Sequence, residues 1–150
     1  MLKGVHHAGV TVSDLERALT FYRDLLGLEM FVQMTRTDHT IGEICGYPGA
    51  QLKIAFCGVP GDTARVELLE YIVPSGEGIK PETFQAGSGH VCFRVDDIDA
   101  LYQRIADAGY QPRSAAPVTI SEGANAGARA FYVRDPDGYT VELFQPPPGR

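Results

Sequence analysis

The feature that most constrains the fold of this chain is an internal repeat. The segment 7–15, HAGVTVSDL, resembles the segment 90–98, HVCFRVDDI, at an offset of 83 residues (90 − 7). In both copies an alternating strand pattern changes to a helical pattern, at Ser13 and at Asp96. The motifs VELL at 66–69 and VELF at 141–144 form a second matching pair, offset by 75 residues (142 − 67). The sequence therefore predicts two copies of one structural unit.

Each copy contains the same series of predicted elements. Ser13 and Glu16 form the S-x-x-E pattern of a capping box, which predicts the start of an amphipathic helix that ends at Gly27. The equivalent helix of the second copy ends at Gly109. Three strand-like segments follow each helix: 28–36, 51–57 and 65–72 in the first copy, and 117–120, 128–134 and 139–145 in the second. Each copy is thus predicted to be a βαβββ module.

The two modules are predicted to form a single α+β domain over residues 1–150. Module 1 covers about 1–73, a Gly- and Pro-rich linker covers about 74–88, and module 2 covers about 89–146. The second module is shorter by 8 residues (83 − 75), and we place most of this difference in the loop 37–50, where a short helical turn is expected. Because neither module alone would bury a comfortable core, the two are expected to pair.

Composition narrows the class of partner. The formal net charge is −6 and the isoelectric point is about 5.1, which argues against nucleic acid as a partner, since affinity for nucleic acid depends on Lys and Arg that neutralise phosphates. No apolar run approaches the roughly 20 residues of a membrane-spanning helix, so no membrane partner is expected. The three cysteines, Cys45, Cys57 and Cys92, lack CxxC spacing and do not indicate a disulfide framework. We expect a cytoplasmic protein.

Four potential metal ligands occupy equivalent positions in the two modules. Since residues two apart in a strand share a face, His7 lies with Gly9 and Thr11, and His90 lies with Cys92 and Arg94. Glu67 and Glu142 occupy the matching position of the two closing strands. Two imidazoles and two carboxylates form an N2O2 donor set that suits a divalent metal ion.

These motifs resemble those of the vicinal oxygen chelate superfamily. The resemblance depends on four motifs: His7 followed by GVTVSDL at 9–15, VEL at 66–68, the Gly89-His90 pair, and DPDGYTVEL at 135–143. That superfamily includes glyoxalase I, methylmalonyl-CoA epimerase, extradiol dioxygenases, and the fosfomycin and bleomycin resistance proteins. The resemblance implies a cup-shaped mixed β-sheet with flanking helices, built from the two modules around one metal ion. It also implies that the ligands are His7, Glu67, His90 and Glu142.

The resemblance implies chemistry at a metal-chelated carbonyl. Four protein ligands leave two positions (6 − 4) of a six-coordinate metal for two substrate oxygens, which favours a lyase, isomerase or epimerase that transfers a proton next to the carbonyl. Glu67 or Glu142 would be the base. Zinc, nickel, cobalt, manganese and iron remain open as the metal. The partner is expected to be a small oxygenated metabolite, and superfamily members often form homodimers.

Four further residues on the predicted inner face are candidate substrate contacts. Arg94 is placed to hold a substrate carboxylate, and Cys92 lies two residues before it. Thr11 and Tyr71 stand where glyoxalase I has Arg and Asn, which argues against glutathione as the substrate. Two alternatives stay open: an extradiol-type dioxygenase, and a non-catalytic protein that binds a drug or metabolite, as in bleomycin resistance.

Overall fold

The chain folds into two compact units in a computed structural model, which describes residues 1–149. Unit 1 is Met1–Ile79, and unit 2 begins at Lys80. The boundary between them lies inside the Gly- and Pro-rich segment that separates the two sequence repeats. Each unit contains one four-stranded mixed sheet.

Unit 1 has the strand order β1-β4-β3-β2, in which β1 and β4 are parallel and the other neighbours are antiparallel. A helix that follows β1 packs on β3 and β4. The elements are β1 (Ala8–Thr11), α1 (Leu15–Leu19), a π-helical continuation (Thr20–Leu25), β2 (Glu29–Arg36), α2 (His39–Cys45), β3 (Gln51–Gly58) and β4 (Val66–Val73).

Unit 2 repeats this topology with the order β5-β8-β7-β6, in which β5 and β8 are the parallel pair. Its helix α3 packs on β8. The elements are β5 (His90–Arg94), α3 (Ile98–Asp107), β6 (Val118–Thr119), β7 (Arg129–Arg134) and β8 (Thr140–Gln145). The predicted α+β class and the βαβββ order of each module are confirmed. No helix in residues 1–149 is long and apolar enough to span a membrane.

Strand alternation separates the apolar core from the polar face in both sheets. Val66 and Leu68 of β4 are buried, whereas Glu67 between them keeps some exposure on the other face. Val141 and Leu143 of β8 are likewise buried on either side of Glu142. Because side chains alternate across a strand, burial of the apolar residues under the helix directs both glutamates to the opposite face.

The prediction of a capping box at Ser13 was wrong, because Asp14 caps α1 instead. The Asp14 carboxylate accepts a hydrogen bond from the backbone N–H of Arg17 at 2.8 Å, and Glu16 accepts one from Gln33 of β2. A second acceptor comes from β4, where Glu70 binds the N–H of Leu15 at 2.8 Å. The sequence pattern placed the helix correctly but did not identify these caps.

A long-range cap of the same kind recurs in unit 2. Gln145 of β8 accepts a hydrogen bond from the N–H of Ile98, the first residue of α3, at 3.1 Å. Gln145 follows Glu142 by three residues, as Glu70 follows Glu67. The repeat therefore includes a polar side chain on the closing strand that fixes the start of the helix.

The amphipathic pattern of the first helix is confirmed at Leu15, Ala18, Leu19 and Tyr22, which are all buried, and it fails only near the end of the helix. Its second half is π-helical over Thr20–Leu25, and a π-turn contains more residues than an α-turn. Phe21 and Tyr22 are both fully buried there, whereas Leu25 and Leu26, which continue the apolar spacing of the sequence, stay partly exposed.

The helical turn expected in the loop 37–50 is present as α2, and it covers part of the polar face of the first sheet. Ile41 of α2 forms a buried apolar cluster with Ala50 and with Leu52 and Ile54 of β3. Leu52 and Ile54 pair across to Tyr71 and Leu69 of β4, so the cluster lies on the face that carries Glu67.

Candidate functional site

His7 and Glu67 form a close pair in unit 1. The Nε2 atom of His7 lies 3.1 Å from Oε2 of Glu67, and the two side chains are 36% and 16% exposed. The parallel register of β1 and β4 sets this approach, because Gly9 lies directly opposite Glu67 and His7 stands two residues before it. We call these two residues the first His–Glu pair.

Unit 2 holds the equivalent pair, formed by His90 and Glu142. The Nε2 atom of His90 lies 3.0 Å from Oε2 of Glu142, with side-chain exposures of 38% and 19%. Here Cys92 lies directly opposite Glu142, and His90 again stands two residues before the opposing residue. We call His90 and Glu142 the second His–Glu pair. The two pairs match in separation, exposure and register.

An aromatic ring stands beside the imidazole of each pair. Phe56 of β3 lies opposite Glu67, and its ring centroid is 5.6 Å from that of His7. Tyr132 of β7 lies opposite Glu142, and its ring centroid is 5.2 Å from that of His90. Sequence reasoning missed both rings, although counting back along each closing hairpin from its glutamate would have placed them on the same face.

The residue directly opposite the glutamate also differs between the two pairs, since unit 1 has Gly9 and unit 2 has Cys92. A β-carbon added to Gly9 would lie 3.7 Å from Oε2 of Glu67 and 3.4 Å from Cδ1 of Leu69. In unit 2 the Cys92 side chain occupies the equivalent position, beside Glu142. Loss of solvation, followed by the negative charge of Glu142 and a hydrogen bond to it, raises the pKa of Cys92 to about 12. The thiol therefore stays protonated at neutral pH and donates to the carboxylate.

The structure places the other predicted contact residues as follows. Thr11 is exposed at the end of β1, and Arg94 is exposed at the end of β5, opposite Phe144. The hydroxyl of Tyr71 donates a hydrogen bond to Sγ of Cys45 at 3.2 Å. This hydrogen bond, together with burial, raises the pKa of Tyr71 to about 12. Tyr71 is thus a neutral phenol, held by a residue at the end of α2.

A concavity of about 310 Å³ adjoins Glu142 on unit 2. Apolar and polar side chains share its wall. The residues that line it are Arg113, Ser114, Val118, Ala130, Phe131, Tyr132 and Glu142. The second His–Glu pair therefore lies beside a volume in which a small molecule fits.

The chemistry of the side chains fits a divalent metal ion. In each pair an imidazole nitrogen lies close to a carboxylate oxygen, at 3.1 and 3.0 Å, and both kinds of atom are preferred ligands of zinc and of neighbouring first-row metals. Within neither unit, over residues 1–149, do three or more His, Cys, Asp or Glu side chains gather into a site that could hold a metal alone. Each unit holds one imidazole and one carboxylate as candidate ligands.

The βαβββ units with their His–Glu pairs define a recognisable class of protein. A crystal structure of a glyoxalase family protein from Bacillus cereus superposes with a TM-score of 0.85 at 21% identity, and the match covers 98% of this chain and 96% of that one. The sequence profile of the Glyoxalase/Bleomycin resistance protein/Dioxygenase superfamily matches residues 4–143. The chain belongs to this superfamily, and the resemblance drawn from its motifs is confirmed.

Curated relatives include enzymes of two kinds. A 2-epi-5-epi-valiolone epimerase from an Actinomyces species is 31% identical over 149 residues, covering 97% of this chain and 80% of the relative. A lactoylglutathione lyase from Haemophilus influenzae is 30% identical over 141 residues, covering 93% of this chain and 90% of the relative. These similarities support an enzyme of the glyoxalase superfamily.

Proposed function

We propose that the protein is a metal-dependent lyase, isomerase or epimerase that moves a proton next to a carbonyl of a small oxygenated metabolite. The observation that carries this proposal is the repetition of one His–Glu pair in both units, with nitrogen–oxygen distances of 3.1 and 3.0 Å. The similarity to an epimerase and to a lactoylglutathione lyase supports the same class of reaction.

His7, Glu67, His90 and Glu142 would together hold one divalent ion. Two nitrogen and two oxygen donors suit zinc, nickel, cobalt, manganese or iron, and they leave two positions of a six-coordinate ion for substrate. When bound, such an ion supplies Lewis acidity, which makes the C–H bond beside a carbonyl more acidic.

The residues of this chain would bind the substrate and carry the proton. Glu67 or Glu142 would leave the ion transiently, accept the proton from carbon and return it. Both carboxylates are partly shielded from solvent and lie 3.1 and 3.0 Å from an imidazole nitrogen. Phe56 and Tyr132 pack beside those imidazoles and limit the approach of water to one side of each ring. The Cys92 thiol holds Glu142 by a hydrogen bond, whereas Gly9 leaves Glu67 without such a partner.

Thr11, Arg94 and Tyr71 remain proposed substrate contacts on the polar faces of the two sheets. Among them Arg94 carries the positive charge that a substrate carboxylate would need. We also propose a homodimer as the working form, which light scattering on the purified chain tests directly by its mass.

Metal binding is tested by titrating the chelator-treated chain with Co²⁺ and recording the visible absorption spectrum. We expect His7→Ala and His90→Ala each to weaken Co²⁺ binding by about tenfold or more, since each removes one of four ligands. His39→Ala is the matched control. His39 and Glu43 form another His–Glu contact, at 3.4 Å, but this pair is exposed on α2 and lies outside the repeat. Equal affinity in wild type, His7→Ala and His90→Ala would contradict the proposed ligand set.

Catalysis is tested by proton exchange in D₂O. We expect the metal-loaded protein to exchange the hydrogen beside the carbonyl in at least one of three probes: a 2-oxo acid, a hemithioacetal or an acyl-CoA ester. Glu67→Gln and Glu142→Gln then identify the base. Since each variant also loses a ligand, exchange is compared at saturating Co²⁺, where loss of exchange in one variant alone marks the carboxylate that moves the proton. Oxygen uptake with a catechol would point instead to a dioxygenase, and binding without turnover would point to a resistance protein.

A further inference from the structure

The concavity beside Glu142 has a positive group at its rim that the proposed reaction does not use. Arg113 lines this volume together with apolar side chains that include Val118 and Ala130. Its backbone N–H donates to the carbonyl of Tyr132 at 2.7 Å, which fixes the Arg113 main chain alongside β7. Any change at this rim therefore has to come from the Arg113 side chain.

The guanidinium of Arg113 shares one carboxylate with a second arginine. Nη2 of Arg113 lies 3.0 Å from Oε2 of Glu82, and Nη2 of Arg134 lies 2.9 Å from Oε1 of the same group. Two positive charges thus meet one negative charge. Glu142, the carboxylate among the lining residues, is paired with His90.

The two arginines differ in how firmly they are held. The Arg134 side chain is 22% exposed and also donates to the carbonyls of Gly138 and Pro81, at 3.3 and 3.4 Å. The Arg113 side chain is 52% exposed, and within residues 1–149 it forms an ion pair with Glu82 alone. Exposed ion pairs of this kind are weak. Glu82 can therefore stay on Arg134 while Arg113 turns to another anion.

We propose that Arg113 is the specificity-determining residue of this concavity and that it binds an anionic group, carboxylate or phosphate, at the end of a short apolar segment of the substrate. Glu82 forms an ion pair with Arg113 until such a group replaces it. The apolar side chains of the wall would contact the part of the substrate between its anionic group, at Arg113, and its metal-binding oxygens, near Glu142. This inference rests on the proposed function for the orientation of the substrate, but the anion site itself does not require a metal.

The test uses the full chain without metal and inorganic phosphate as the probe, with NMR of the arginine Nε–Hε signals. In Glu82→Gln we expect a saturable shift of the Arg113 signal and phosphate binding at least about fivefold tighter than in wild type, because the competing carboxylate is gone. Adding Arg113→Gln to that variant should abolish the effect. Adding Arg104→Gln on α3 instead removes the same charge from unit 2 and should preserve it.

A series of carboxylic acids tests the apolar segment. In Glu82→Gln, each methylene added from acetate to butyrate to hexanoate should tighten binding about two- to fourfold as it contacts the apolar side chains of the wall. The inference is overturned if phosphate does not shift the Arg113 NMR signal in Glu82→Gln, or if the double variant with Arg113→Gln binds phosphate as tightly as Glu82→Gln does. It is also overturned if the chain length of the acid has no effect on affinity. Because no metal or turnover is involved, failure here leaves the metal-binding proposal standing, and failure of Co²⁺ binding leaves this test valid.

Discussion

The two units share one pair of side chains and differ in what surrounds it. In unit 1 the polar face of the sheet is partly covered by α2, whose Ile41 packs into a buried apolar cluster with Leu52 and Ile54. In unit 2 the comparable face carries an open concavity beside Glu142. The part that repeats is the part suited to metal binding. The surroundings of the pair differ, because α2 covers the face in unit 1 whereas the face in unit 2 stays open. We therefore expect substrate selection to depend on unit 2.

Truncating a side chain on each face should show the largest difference between the units. Leu52→Ala in unit 1 removes a fully buried member of the apolar cluster and should lower the free energy of unfolding by about 2–5 kcal/mol. Val118→Ala in unit 2 removes a side chain that is 56% exposed and should change it by less than about 0.5 kcal/mol. Urea denaturation measures both, and similar losses would contradict the contrast between a filled and an open face.

Stability should fall at alkaline pH through a thiol of unit 1. Burial raises the pKa of Cys57 from 9.0 to about 11. Since the unfolded chain loses this proton first, the folded state is favoured below pH 9 and loses that advantage as the pH rises toward 11, on the order of 2 kcal/mol. Cys57→Ala should flatten this part of the pH profile measured by urea denaturation. An unchanged slope in the variant would rule out Cys57 as its source.

The long-range helix caps offer a comparison at matched positions. Glu70→Ala removes the acceptor for Leu15 N–H and the ion pair with Lys53, which are both 2.8 Å long, and should cost about 1–2 kcal/mol of unfolding free energy. Gln145→Ala removes one neutral hydrogen bond, to Ile98, and should cost about 0.5–1 kcal/mol. Glu29→Ala, an exposed site on β2, is the control. A larger loss for Gln145→Ala would reverse the expected order.

The smallest effect is expected from the glycine and cysteine that distinguish the two His–Glu pairs. Cys92→Ala removes the thiol that donates to Glu142 and should weaken Co²⁺ binding about threefold, because the carboxylate loses an orienting hydrogen bond. Gly9→Ala places a methyl group at ordinary contact distance from Leu69 and should change Co²⁺ affinity less. A larger loss of Co²⁺ affinity in Gly9→Ala than in Cys92→Ala would contradict this order.

Much of the fold could be predicted because its signals are local. The change from strand to helix pattern in each repeat and the alternation around Glu67 each depend on a few neighbouring residues, and the structure contains the corresponding elements. Sequence reasoning failed where the period of a helix changed, as at Phe21 in the π-helical segment. It also failed where a cap came from far along the chain, as Glu70 does for α1. Such contacts have no local pattern to reveal them.

The sequence by itself determined which side chains the two units repeat, because the offset places one His and one Glu at matching positions of each copy, and strand periodicity puts each glutamate on the face opposite its apolar neighbours. Only the tertiary structure decided which side chains surround them. Cross-strand register sets Phe56 and Tyr132 beside the imidazoles, and chain segments distant in sequence bring Glu82 to Arg113. Register and long-range packing depend on how the whole unit closes its core, so no short stretch of sequence encodes them.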